Sequence, residues 1–338
     1  MVWLKFAICL AVILVAGTRL SKYGDAIAEK TGLGRIWIGV VLLATITSLP
    51  ELATGVSSVA FVGEPNLTLG DLFGSNLINL VIIAIVDVLY RRGPVLHFLG
   101  TGMVLTTILS TMLIGVAATS IYVAQSVTSM SLFGYIGLYS PILLVLYLFA
   151  QYMLIRFQHT QQDQTPNENQ VNAAYAGISL TRVSLFFSVA ALATIGAGIW
   201  LGFIGDEIAR VTGLGASFVG TLFLAVCTSA PEIVVSISAL RLGALDMAVG
   251  NVIGSNMFNM GVTIFVDDIF YTKGPILSYV SADHIGTTLF AILMSCAVLI
   301  GLIYRPRFWR RIWVGIDTAA LILIYFLAIG VLYLATKA

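Results

Sequence analysis

Apolar residues dominate ten stretches of this chain, near residues 2–20, 36–61, 70–90, 97–122, 132–156, 182–203, 216–240, 248–271, 284–304 and 311–335, with short polar or charged joints between them. A helix needs roughly 20 mostly apolar residues to cross a bilayer. The pattern therefore predicts an all-α polytopic membrane protein with about ten transmembrane helices. One stretch interrupts its own run. ITSLPELATG, residues 46–55, places a proline, a glutamate, two threonines and a serine inside the second apolar segment. A helix interior disfavours the proline and a bilayer disfavours the charge.

The interruption is repeated. GDAIAEKTGLGRIWIGVVLLATITSLPELATGVSS, from Gly24, aligns without a gap on GDEIARVTGLGASFVGTLFLAVCTSAPEIVVSISA, from Gly205, at an offset of 181. After a one-residue slip, GDLFGSNLINL from Gly70 lies over GNVIGSNMFNM from Gly250 at an offset of 180, and continuing that offset sets Val86 and Asp87 over Val266 and Asp267. The expected organisation is a first five-helix repeat over residues 1–157, a linker over 158–177 and a second five-helix repeat over 178–338. Five spans is an odd number, so the second repeat crosses the membrane in the opposite sense. Inverted repeats whose broken helices meet near the midplane are a general plan of secondary transporters.

In a helix, Thr47 and Glu51 are four residues apart and Ser48 and Glu51 three, so their oxygens share one face. Pro50 has no N–H to give the carbonyl of Ile46, which frees an oxygen one turn before the glutamate. Thr228, Ser229, Pro231 and Glu232 repeat the arrangement, with Cys227 supplying the freed carbonyl. Inversion lets the two clusters face each other. The result is a cage of two carboxylates, four hydroxyls and several carbonyls, which suits hard cations such as Ca²⁺, Mg²⁺ or Na⁺. The alternative, a proline kink with a glutamate paired to a distant base, has no lysine or arginine in the middle of any expected span to support it. The GSN motifs set Ser75 and Asn79, and Ser255 and Asn259, on one helix face near a span start; they could complete a coordination shell or bond helices together.

Composition agrees with the pattern: 59% of residues are hydrophobic and 10% charged, with a mean hydropathy of +1.01. The net charge of +1 says little about partners, but the placement of the 17 lysines and arginines is informative. With ten spans, 13 fall on one side and 4 on the other, so the first side is expected to be cytoplasmic, with both termini outside. Trp309 and Trp313 fit an interfacial anchor beside the last arginine cluster. Cys9, Cys227 and Cys296 read as small buried hydrophobes. His97, His159 and His284 fall at span ends and are expected to be solvated. Asp87, Asp267 and Asp268 are expected to face water, and Asp317 to pair with Arg310 or Arg311. The first span is expected to be a retained helix rather than a cleaved signal. No phosphate loop, catalytic triad pattern or soluble domain is present to suggest an enzyme.

TSLPE with GSNLIN, and TSAPE with GSNMFN, resemble the two α-repeats of the sodium/calcium exchanger family, in its prokaryotic form without a regulatory domain. The resemblance covers essentially the whole chain. It implies that Glu51 and Glu232 are central ligands shared by Ca²⁺ and Na⁺. By motif matching, Thr47, Ser48, Thr228 and Ser229 contribute hydroxyl or carbonyl oxygens, Ala44 and Ala225 backbone carbonyls, and Ser75, Ser255, Asn79 and Asn259 line flanking sites. It also implies that the first and sixth spans slide against the other eight. Ile46 and Cys227 stand where the family usually has glycine, and Asn79 and Asn259 where many members have an aspartate. Two central carboxylates match one Ca²⁺ but leave a load of three Na⁺ one positive charge in excess. Asp71 has Asn251 as its counterpart; a helix N-terminal role and a cation-access role are both open to it.

The expected function is obligatory exchange of Ca²⁺ for Na⁺ by alternating access, because an empty site with two carboxylates is costly to carry through a dry intermediate. An antiporter coupled to H⁺ or linked to K⁺, a cation channel and a membrane sensor are the alternatives. No cofactor is expected beyond the transported ions. Partners are Ca²⁺, Na⁺ and the lipid bilayer, with no nucleic acid and no obligate protein partner, and the expected location is a prokaryotic plasma membrane.

Overall fold

The computed structural model describes residues 1–31, 42–126, 131–162, 179–304 and 315–335. The opening of the second expected span, most of the 158–177 joint, Trp309, Trp313, Arg310 and Arg311 lie outside the described residues. The helices are α1 (Val2–Thr31), α2 (Ala44–Thr47), α3 (Leu49–Ser57), α4 (Pro65–Leu89), α5 (Thr101–Ser126), α6 (Tyr139–Gln162), α7 (Leu180–Thr212), α8 (Ala216–Val219), α9 (Ala225–Thr228), α10 (Ala230–Arg241), α11 (Leu245–Phe258), α12 (Ile264–Phe270), α13 (Asp283–Ile303) and α14 (Ile316–Ala335). Wider π turns occupy Ser58–Val62, Gly220–Leu224 and Asn259–Thr263. A two-residue hairpin, β1 (Ser131–Leu132) with β2 (Ile136–Gly137), sits between α5 and α6.

Among the described residues, eight helical segments are long and apolar enough to cross a membrane, and Ala216–Thr228 with Ala230–Arg241 makes a ninth, bent by 42°. The one expected span left, the second (36–61), is described only from residue 42 onward. Large apolar side chains such as Leu4, Val15, Leu192, Leu293, Phe326 and Leu334 are exposed on α1, α7, α13 and α14, a belt that only lipid can cover favourably. Polarity points inward instead: no lysine or arginine is buried among the described residues, while four glutamates and aspartates near the centre, Glu51, Glu232, Asp71 and Asp267, are 0% exposed.

The two long helices α1 and α7 lie against each other in opposite directions. Lys5 at the start of α1 bonds Glu207 near the end of α7 at 2.6 Å, and Tyr23 near the end of α1 stacks on Phe186 near the start of α7. Matched helices of the two repeats therefore run antiparallel, which is the inversion read from the odd span count. Both helices run longer than the apolar pattern alone indicates, because the GD joints continue as helix; α7 stops only where Gly213 adopts φ +70°, a left-handed cap that glycine tolerates best. Each long helix also opens a glycine to the opposite repeat's proline. A Cβ at Gly17 would sit 2.4 Å from Pro231 Cγ, and one at Gly198 would sit 2.9 Å from the carbonyl of Pro50. Gly17 and Gly198 are themselves 181 residues apart.

Several sequence expectations are corrected here. Cys296 is exposed on the lipid-facing side of α13, whereas Cys9 and Cys227 are buried. His284 is buried, its Nε2 3.3 Å from Asn66 Oδ1. His97 is half-buried, and the side chain of His159 lies outside the described residues. Asp87, Asp267 and Asp268 are buried rather than facing water; over Asp87 and Asp268 the chain folds back at the span ends and offers backbone N–H groups. Asp87 accepts from Val95 N at 2.6 Å, Gly315 N at 3.0 Å and Thr318 Oγ1 at 2.5 Å. Asp268 accepts from Ile276 N at 2.7 Å, Gly137 N at 2.7 Å, Tyr139 Oη at 3.0 Å and Ser140 Oγ at 2.5 Å. Each aspartate thus caps the amide eight residues on, so Asp87 corresponds to Asp268, not to Asp267. The π turn Asn259–Thr263 holds the extra residue that returns the offset to 181, as the π turn Ser58–Val62 holds the one that reduced it to 180.

Replacing Asp87 by alanine leaves three buried donors short of an acceptor, each costing about 1–3 kcal/mol. Asp87→Ala is expected to lower the apparent melting temperature in detergent by about 5 °C or more, read by a thermal shift assay. An unchanged midpoint would mean that the knot adds nothing to stability.

Candidate ion-binding site

The TSxPE segments break where a helix can end and restart. Ser48 has φ −84° and ψ 8°, and Ser229 has φ −79° and ψ 5°, the sparsely populated bridge region between regular conformations. Ser48 N and Ser229 N still reach Ala44 O and Ala225 O, at 3.1 and 3.0 Å. Pro50 and Pro231 then stand in the first turn of α3 and α10, where a missing N–H costs nothing. The proline therefore opens a new half-helix instead of kinking a continuous one. Carbonyls at the end of α2 and α9, and Glu51 and Glu232 in the first turns of α3 and α10, gather at the same depth.

Every predicted ligand is buried: Thr47, Ser48, Glu51, Ser75, Asn79, Thr228, Ser229, Glu232, Ser255 and Asn259 are all 0–1% exposed, and Ala44 and Ala225 likewise; the side chain of Asn259 makes no hydrogen bond to the others. Their contacts follow a two-fold pattern across the repeats. Thr228 on α9 meets Ser75 Oγ at 3.2 Å and Asp71 Oδ1 at 2.9 Å on α4. Thr47 on α2 meets Ser255 Oγ and Asn251 Oδ1 on α11, each at 3.4 Å. Ser229 Oγ lies 3.5 Å from Glu51 Oε1 across the interface, and Ser255 Oγ gives 3.2 Å to Glu232 Oε1. At the seam between α4 and α11, Asn79 Nδ2 donates to Asn256 Oδ1 at 2.9 Å, and Asn256 Nδ2 to Asn76 O at 3.2 Å.

The hydrogen bonds do not exhaust the oxygens. Glu51 Oε2, Glu232 Oε2, Asp71 Oδ2, Ser48 Oγ, Asn79 Oδ1 and both polar atoms of Asn259 meet no protein partner. Unpaired oxygens of this kind, buried beside charged carboxylates and away from any base, are what a desolvated cation satisfies. Among the described residues no three carboxylate, imidazole or thiolate groups converge closely enough to hold a metal by themselves. A cation held here draws most of its shell from hydroxyls, amides and carbonyls, which hard cations accept.

The predicted set omits Asp71, Asn251 and Asn256. Asp71 takes the hydroxyl of Thr228 at 2.9 Å and is completely buried, so it belongs to the cage's inner surface rather than to a solvated helix end. Its signal in the sequence was the four-residue spacing to Ser75, which puts both on one face. Asn256 ties the two repeats together and is recognisable only through its bond to Asn79. The unusual Ile46 and Cys227 are also placed: Ile46 packs with Leu20 and Ala190, and Cys227 with Cys9, each therefore against a long helix.

Comparison with known proteins adds to this geometry. The sodium/calcium exchanger MaX1 of Methanosarcina acetivorans is 27% identical over 376 residues, covering 94% of this chain and 95% of its own. The inner membrane protein YrbG of Escherichia coli is 26% identical over 315 residues, covering 89% and 87%. The structure of the sodium-calcium exchanger NCX_Mj soaked with Na⁺ and Sr²⁺ shares the fold, with a TM-score of 0.64 at 19% identity over 98% of this chain and 99% of that one. The family model described as sodium/calcium exchanger protein matches residues 1–155 and 183–334: the chain belongs to the sodium/calcium exchanger family of membrane transporters.

Proposed function

We propose that this transporter exchanges Ca²⁺ for Na⁺ across the membrane by alternating access, with Glu51 and Glu232 as the shared ligands. One observation carries the reading. Each glutamate is wholly buried, keeps one oxygen unpaired, and has no buried base among the described residues to neutralise it. Thr47, Ser48, Thr228, Ser229, Ser75, Ser255, Asn79 and Asn259, with the carbonyls of Ala44 and Ala225, complete the proposed shell. Asp71 supplies a third carboxylate through its bond with Thr228. Three negative charges would balance three Na⁺, which two glutamates alone do not. The glycine seams at Gly17 and Gly198 support a mechanism in which α1 and α7 slide as a pair over the two breaks. The arginine-rich joints assign the Arg91 and Arg92 end of the bundle to the cytoplasm, and the Gly63 end to the outside, with the 158–177 linker inside.

In vesicles with an imposed Na⁺ gradient and labelled Ca²⁺, Glu51→Gln and Glu232→Gln are each expected to cut Ca²⁺ flux more than about tenfold, the effect of losing about 1.4 kcal/mol or more of ion binding. Undiminished flux in either variant would sink the reading. A pH or K⁺ gradient in place of Na⁺ is expected to drive little Ca²⁺ movement; equal drive by a pH gradient would identify a proton-coupled antiporter. Asp71→Asn, which makes the position like Asn251 in the second repeat, is expected to raise the Na⁺ concentration needed for half-maximal exchange and to flatten its cooperativity. An unchanged Na⁺ dependence would remove Asp71 from the load.

A further inference from the structure

Asp267 is not accounted for by the cage or by the capping knots. It is 0% exposed, and neither carboxylate oxygen meets a protein donor. Its place is set by a glycine. A Cβ at Gly55 would stand 2.6 and 2.7 Å from the two oxygens of Asp267, so the carboxylate rests on the bare backbone of α3. Gly55 follows Glu51 by four residues, which puts Asp267 about 6 Å along the helix from the cage glutamate on the same face. Thr68 Oγ1 bonds the carbonyl of Gly55 at 3.2 Å, and Asp71 lies one turn further along α4. Asp267 and the helix that carries Asp71 therefore meet at the same residue of α3, Gly55. The three carboxylates are thus strung from the cage toward the Gly63 end.

The second repeat builds the same crossing without the charges. Its counterpart of Gly55 is Ser236, whose Oγ donates to Ala248 O at 2.9 Å, as Thr68 bonds Gly55. Counted with the residue held by the π turn, the counterpart of Asp267 is Val86, and that of Asp71 is Asn251. A serine side chain fills the space that the glycine leaves open, and a valine stands where the carboxylate would be. The difference is therefore confined to one side of the cage.

We propose that Asp267, with Asp71, forms a station for one monovalent cation, Na⁺ or H⁺, one helical turn from Glu51 on the Gly63 side only. A divalent ion is disfavoured, because Ca²⁺ needs six to eight oxygens and the nearest further free side-chain oxygens on the two segments that meet here are Thr263 Oγ1, four residues before Asp267, and Ser58 Oγ, three after Gly55. The titratable groups around it are Asp268 beside it in sequence, Asp71 on α4 and Glu51 one turn away on α3; Gly55 is the α3 residue its carboxylate rests on. Asp268 is already held by four donors, which leaves Asp267 to take the incoming charge. Asp267 lies beyond the ligand set of the exchange reading and shares Asp71 with it; the station rests on that reading for its role: it holds a single charge on the path to the cage from one face.

Calorimetric titration of the purified protein with NaCl, in Ca²⁺-free detergent at a series of pH values, tests this. Asp267→Asn removes the carboxylate, and Gly55→Ala drives a methyl into its seat while leaving the charge in place. If Na⁺ is the occupant, both variants are expected to weaken Na⁺ binding about tenfold at every pH. If the occupant is a proton, both variants flatten the pH dependence of Na⁺ binding seen in the unaltered protein. Either result supports the station and names its ion. Na⁺ affinity and pH profile unchanged in both variants would overturn it. Proteoliposomes of the unaltered protein separate this from failure of the exchange reading, since absence of Na⁺-driven Ca²⁺ flux there counts against exchange while the binding titration still reports on Asp267.

Discussion

Carboxyl groups held in a dry interior without a positive side chain to meet them are the constraint on which this structure turns. Glu51, Glu232, Asp71 and Asp267 are fully buried, and none of the lysines and arginines whose side chains are described is buried. An isolated ionised carboxylate in a low-dielectric medium is so costly that the chain must supply either donors or a route to mobile cations. It supplies donors for Asp87 and Asp268, three and four respectively, and these two act as structural knots at opposite ends of the bundle. It withholds donors from one oxygen each of Glu51, Glu232 and Asp71, and from both oxygens of Asp267. The same residue chemistry thus serves two purposes, separated by whether the backbone folds back to satisfy it.

Helix breaks make the first of those locations possible. A continuous helix consumes its own carbonyls, whereas the restart at Ser48 and Ser229 puts the ends of α2 and α9 beside the glutamates. The inverted arrangement then places each threonine on the other repeat's GSN helix, Thr228 on Ser75 and Thr47 on Ser255. Neither repeat contains a complete site. The cage exists only when the two interlock.

Much of this was legible in the sequence, for identifiable reasons. The TSxPE duplication was visible because an ungapped alignment joins 35 residues of each half, and the absence of a lysine or arginine in the middle of any span marks the glutamate of either copy as lacking a base. The inversion followed from an odd number of spans. Asp267 was illegible because a π turn adds a residue without leaving a mark in composition or hydropathy; carrying the offset of 180 past Asn259 paired it wrongly with Asp87. Burial of Asp87, Asp268 and His284 was equally hidden, since it depends on loops folding back over span ends and not on the spans themselves. Asp71 stood between, with its spacing to Ser75 visible but its hydroxyl partner supplied by a residue 157 positions away.

The two glycine seams carry a further consequence for how the molecule avoids leaking. Gly17 seats Pro231 and Gly198 seats Pro50, and the two glycines belong to helices that lie side by side along their lengths. A displacement of that pair changes its register against both breaks at once, by the same amount and in opposite senses relative to each repeat. In the proposed sliding mechanism, access from one face and closure at the other then become two aspects of a single coordinate, and mutual exclusion needs no signal passed between gates. A pore open at both ends would require the pair to come apart, and the Lys5–Glu207 bond at one end and the Tyr23–Phe186 stack at the other hold it together.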